Sequence, residues 1–132
     1  MTAARDGIQG VVYVADLASM ETFYAEVCGL GIVEQVAGQF TTLESTAVAL
    51  SLVRVPEEIA AAYPVSSPPV RREAVAVKMS FPVESIAGAR DAALATGGWL
   101  DGVETEWEFR GFRVCGGYDP EGNILSVREP LR

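Results

Sequence analysis

The stretch "VVYVADLASMETFYAEVCGLG" (residues 11–31) carries a strand, a helix and a helix stop in succession. Residues 11–14 are β-branched or aromatic, which suits an extended, half-buried chain. Asp16 then stands where a helix needs an N-cap, with a short carboxylate able to accept from free backbone N–H groups of the first turn. Leu17, Met20, Phe23, Tyr24 and Val27 follow at the three- and four-residue spacing of one helical face. Gly29 and Gly31 supply a left-handed exit.

The same sentence is written a second time. In "AVKMSFPVESIAGARDAALATGGW" (residues 76–99) Val77, Met79, Phe81 and Val83 alternate with Lys78, Ser80 and Pro82, the pattern of a strand with one apolar face. Pro82 places that strand at an edge or near its end. Ser85 caps a second helix whose inner face carries Ile86, Ala89 and Ala93, and Gly97 and Gly98 stop it. Asp16 and Ser85 are 69 residues apart, and the same offset brings Val14 onto Val83, Leu17 onto Ile86 and Gly29 onto Gly98. Further strands follow each helix: "GQFTTL" and "TAVALSLVRV" in the first half, "VETEWEFR", "FRVCGGY" and "NILSVRE" in the second. "DPEGN" (119–123) has the Asp, Pro and Gly placement of a type I turn. These features predict an α+β fold of two βαβββ modules, 8–55 and 74–129, sharing one curved mixed sheet. Helices near 17–28 and 86–96 lie on its convex side. The proline- and serine-rich segment 56–73 connects them, with one helical turn near 57–63. Neither module alone buries much core.

The bulk numbers narrow the function. The chain has 132 residues, ten Lys and Arg against 18 Asp and Glu, and a net charge of −8. That balance argues against nucleic acid, whose binding needs basic surface, and against anionic membrane surfaces. No apolar run approaches the ~20 residues of a membrane span. "MTAARDGIQG" lacks the apolar centre of a secretion signal. Two cysteines, Cys28 and Cys115, make no disulfide framework. A cytoplasmic location is the expectation.

"VADLASMETFYAEVCGLG", "FPVESIAGARDAALATGG" and "DPEGNILSV", taken together and at these separations, resemble the vicinal oxygen chelate superfamily, the group of glyoxalases, bleomycin-resistance proteins and extradiol dioxygenases. The resemblance spans nearly the whole chain and implies a cup-shaped sheet. It also implies a homodimer, since relatives commonly pair modules across chains. Metal-dependent relatives place His, Gln or Glu at four related strand positions in the cup. Counting from the strand–helix junctions carries two of these onto Gln9 and Lys78. Matching "LSL" (50–52) to "LSV" (125–127) carries the other two onto Ser51 and Ser126. An ammonium has no lone pair, serine hydroxyls are poor ligands for zinc or iron, and the sequence contains no histidine to substitute. The expectation is a module with no metal and no cofactor.

Alternation then selects what the cup displays. If Leu50, Leu52, Leu125 and Val127 pack under the helices, Ser51 and Ser126 face the other way. The same logic brings Gln9, Val11, Tyr13, Ala49, Val53, Lys78, Ser80 and Arg128 to the cup. Trp107 and Phe109 share a face, and stand either as core or interface rings or as a stacking surface for a flat ligand. Phe112, Arg113 and Tyr118 come from the same strands. Lys78 has three open roles: a surface cation with a snorkelling stem, a partner for a ligand oxyanion or carbonyl, or a nucleophile or base. Arg128 is either a ligand contact or a strand-end charge. Two function classes follow. One is metal-independent sequestration of an aromatic or drug-like small molecule, as in antibiotic-resistance members of the group. The other is a metal-free isomerase, cyclase or lyase-like enzyme using Lys78 or Tyr13.

Overall fold

The computed structural model describes residues 7–62 and 64–132. The first module is β1 (Ile8–Val14), α1 (Leu17–Cys28), β2 (Gly31–Val36), β3 (Phe40–Glu44) and β4 (Val48–Arg54). A single turn of helix, α2 (Glu57–Ala60), opens the connection. The second module is β5 (Met79–Pro82), α3 (Ile86–Ala95), β6 (Trp99–Leu100), β7 (Trp107–Phe109), β8 (Phe112–Tyr118) and β9 (Ile124–Pro130). Both caps form as the residue types require. Asp16 accepts from the backbone N–H of Ser19, and Ser85 from that of Gly88. Gly29 takes the left-handed exit at φ 68°, which a β-carbon would disfavour; Gly31 is instead the first residue of β2.

The repeat survives in the strand pairing. β1 lies parallel to β4 with Val11 beside Ser51, and β5 lies parallel to β9 with Ser80 beside Ser126. Those are the positions that the 69-residue offset and the "LSL"/"LSV" match bring together. Leu50, Leu52, Leu125 and Val127 are fully buried, so the strand faces are as alternation sets them. α1 and α3 cover that apolar face, pack against each other and share one core that runs through both modules.

Two expectations change. The sheet is not continuous: β1–β4–β3–β2 forms one sheet, and β5–β9–β8–β6, with β7 on β8, forms another. The edges β1 and β5 approach where the Met79 sulfur lies 3.4 Å from the place a β-carbon on Gly10 would take. Gly10 and Met79 are each other's repeat equivalents at the 69-residue offset, so the modules meet at matching positions. The second correction is Val77, expected inside and found 80% exposed. β5 begins only at Met79, so Val77 precedes the paired strand and has no helix over it.

The modules are joined by polar contacts that no local pattern announces. The "DPEGN" turn forms, with the Gly122 N–H donating to the Asp119 carbonyl at 2.9 Å. Its acids reach into the other module. The Tyr24 hydroxyl on α1 donates to Asp119 Oδ2 at 2.8 Å. The backbone N–H groups of Ala15 and Asp16 donate to the Glu121 carboxylate at 2.7–3.0 Å. A carboxylate at this place satisfies donors that have no partner at the start of α1. Burial pushes both carboxyls above their ordinary pKa, although the bonds they accept pull the other way. Burial first, then the charge of Asp119, pushes the Tyr24 phenol well above its own.

Candidate functional site

The helix-free face of the second module is hollow. β9 presents Ser126 and Arg128, β8 presents Phe112 and Val114, and β7 presents Trp107 and Phe109; Ser80 stands on β5 and Lys78 one residue before it. Pairing aligns them in rows: Arg128 beside Val114, Val114 beside Trp107, and Phe112 beside Phe109. Ser126 lies beside Gly116, where a β-carbon would meet Asp101 Oδ2 at 3.5 Å and Arg71 Nη2 at 3.7 Å, so the Arg71–Asp101 pair bounds this end. The result is a cavity of about 630 Å³, within the usual size for a small-molecule site.

Its polar groups have defined partners. The Lys78 ammonium sits 5.3 Å from the centre of the Trp107 ring, and the Arg128 guanidinium 5.2 Å from that of Phe112. Arg128 also donates through Nη1 to the Ser80 carbonyl at 2.7 Å and to its hydroxyl at 3.2 Å. The ninth lining residue is Arg110, at the β7–β8 turn. Among the described residues no Asp or Glu lines the cavity.

Lys78, Ser80, Trp107, Phe109, Ser126 and Arg128 thus line one cavity; alternation brings Lys78, Ser80, Ser126 and Arg128 to one face and leaves the facing of Trp107 and Phe109 open. Gln9, Val11, Tyr13, Ser51 and Val53 do not join them in the same chain. Ser51 shares a 2.8 Å hydrogen bond with Thr42, and Gln9 lies exposed on β1. Val11 and Tyr13 line a separate groove of about 590 Å³ along the seam, with Val77 and Met79 opposite. Val53 lies beside Phe40 and lines a third hollow. Ala49 is buried. The single cup of both modules is therefore two separate surfaces, because the two sheets do not join. Arg113 pairs with Glu108, and Tyr118 lies under Arg71. Val114 and Arg110 were missed. Extending the alternation two residues past Phe112 finds Val114, and "RG" between two ring pairs signals the hairpin turn that holds Arg110.

A family model described as a glyoxalase-like domain matches residues 9–128. The chain belongs to this glyoxalase-like family, within the vicinal oxygen chelate superfamily. Solved structures share the fold. A glyoxalase/bleomycin resistance protein/dioxygenase family enzyme from Burkholderia phytofirmans is 17% identical over 93% of this chain and 97% of its own, with a TM-score of 0.67. A glyoxalase/bleomycin resistance protein from a Streptomyces species is 18% identical over 92% and 98%, at 0.60. The fosfomycin resistance protein FosX of Listeria monocytogenes, complexed with Mn(II) and a dihydroxypropylphosphonic acid, is 10% identical over 90% and 85%, at 0.62. No curated protein matches the chain significantly.

Such relatives raise the question of a metal in this glyoxalase-like domain. The donor set does not fit one. The four related positions hold an amide, a hydroxyl already bonded to Thr42, an ammonium stacked on Trp107, and a second hydroxyl. A divalent ion there would face a fixed positive charge and no anionic ligand. Among the described residues no three His, Cys, Asp or Glu side chains are grouped to hold an ion elsewhere.

Proposed function

We propose that this glyoxalase-like protein binds a flat, mostly apolar small molecule carrying an oxygen acceptor, without metal and without transforming it. The observation behind this reading is the cavity walled by Trp107, Phe109, Phe112 and Val114, with Lys78, Ser80, Ser126 and Arg128 as its few polar contacts. Ring walls supply affinity through buried area, at roughly 25 cal/mol per Å² before association costs. Hydroxyls and cations orient the ligand, since each buried polar atom needs a partner. The enzymatic alternative is weaker. Lys78 faces a ring with no carboxylate among the described lining residues to act as a second base, and Tyr13 lines a different hollow. A thermal-melt screen of small molecules, with and without divalent cations, tests the reading. Ligands that stabilise equally in both conditions and are recovered unchanged support it; turnover of the ligand contradicts it.

A homodimer belongs to the same proposal. β1 and β5 are open sheet edges, and beside them Ile8 is 73% exposed, with Val11, Tyr13 and Val77 also outside. A second copy would cover this surface and bring the first module's Gln9 and Ser51 face towards the second module's cavity. Light scattering at micromolar concentration should give twice the 14.0 kDa chain mass. A monomer at that concentration contradicts the dimer.

Among the described residues no helix is long and apolar enough to cross a membrane. A cytoplasmic location remains part of the proposal.

A further inference from the structure

We propose, resting on the binding reading above, that the ligand is an anion: a flat apolar body bearing one oxyanion, such as a carboxylate or sulfonate, which Arg110 is held in place to meet. The chain is strongly acidic, yet Lys78, Arg110 and Arg128 all line this one cavity and, among the described residues, no acid does. The neighbouring acids are turned elsewhere. Glu108, between Trp107 and Phe109, points to the other face and pairs with Arg113. Glu129, next to Arg128, accepts from the backbone N–H of Ile86 at the start of α3. The ion pairs found among the described residues engage Arg71, Arg90 and Arg113, and none of the cavity cations. Lys78 rests on the Trp107 ring, a weak hold for a partly exposed cation, and Arg128, on the Phe112 ring, spends one nitrogen, Nη1, on Ser80, so an oxyanion finds in both a cation with no carboxylate partner.

Arg110 adds an independent observation. Phe109 pairs with Phe112, which leaves Arg110 and Gly111 as a two-residue hairpin loop. Their φ values are 52° and 86°, and Arg110 is the single non-glycine residue with positive φ among those described. This is the type I′ turn, whose first position suits Asn, Asp or Gly. An arginine there is strained, because its β-carbon crowds the following carbonyl. Strain retained beside a cavity points to a task for the side chain. Here the task is to place a guanidinium fork at the mouth of the cavity.

Calorimetric titration of the full chain with naphthoate and its neutral isostere naphthamide tests this, together with the variants Arg110→Asn and Trp107→Ala. The expected result is naphthoate binding at least tenfold more tightly than naphthamide, with an advantage that shrinks as salt is added. Arg110→Asn should weaken naphthoate about tenfold, leave naphthamide unchanged, and raise the melting temperature by about 2–5 °C through relief of the turn. Equal affinity for the two probes, no naphthoate binding at millimolar concentration, or naphthoate affinity unchanged in Arg110→Asn overturns the anion proposal. A lower melting temperature in Arg110→Asn overturns the stored-strain role. If the anion proposal fails while Trp107→Ala still weakens both probes, the cavity remains a binding site; if Trp107→Ala alters neither, the binding reading itself fails.

Discussion

Phe23→Ala is expected to destabilise the whole chain by about 3–5 kcal/mol, the cost of removing a fully buried phenylalanine. That is a large part of the roughly 5–15 kcal/mol that holds a domain of this size together. Phe23 is completely buried on α1, edge-on to Tyr24 with ring centres 5.1 Å apart. Its other neighbour is Gly98, just beyond α3 in the second module. A β-carbon on Gly98 would run into the Phe23 ring and lie 2.7 Å from the Tyr118 carbonyl oxygen. The ring therefore occupies space that the second module leaves open by carrying glycine. Both tryptophans, Trp99 and Trp107, lie in the second module, while Phe23 lies in the first. Urea unfolding followed by tryptophan fluorescence and by far-ultraviolet circular dichroism should show one transition, moved equally by Phe23→Ala. A fluorescence midpoint that stays in place while the dichroism splits would mean that the modules unfold independently. Gly98→Ala should be strongly destabilising in the parent chain and less so in the Phe23→Ala background, where the clash with the ring is gone.

The second large effect concerns the cavity. Lys78→Ala should weaken an oxyanion-bearing ligand by about 1.5–3 kcal/mol, the range for a charge-assisted hydrogen bond. Trp107→Ala should weaken any aromatic ligand and leave the fold intact, since Trp107 is 41% exposed and outside the shared core. Titration calorimetry, with dichroism as the control for folding, measures both. Unchanged affinity in both variants would place the site elsewhere. Retained binding with lost turnover in Lys78→Ala would make the protein an enzyme and Lys78 its working group.

Much of this architecture is legible locally. The helix caps at Asp16 and Ser85, the apolar faces of α1 and α3, and the alternation through 50–52 and 125–127 are short-range patterns, and each forms as its residues dictate. The repeat offset adds a long-range relation, and the parallel pairs β1–β4 and β5–β9 follow it, with Val11 and Ser80 at matching places. What stays hidden is how the modules meet. Alternation says which face of a strand is apolar, but not whether the next edge strand joins its ladder, so one sheet was expected where two form. The same limit explains why Tyr13 and Lys78 line different hollows. The acids of "DPEGN" are readable as turn residues, but their partners Tyr24, Ala15 and Asp16 lie about a hundred residues earlier and leave no trace nearby. Val77 looks like a core residue by period, yet it precedes the first paired residue of β5.

Metal content per chain, measured by elemental analysis on protein purified without chelators, tests the account of the site most directly. With an ammonium and two hydroxyls at three of the four positions that the resemblance relates to a metal site, the expected result is no stoichiometric transition metal and ligand binding that is unchanged by added chelator. One metal ion per chain, with binding or activity lost on chelation, would contradict it.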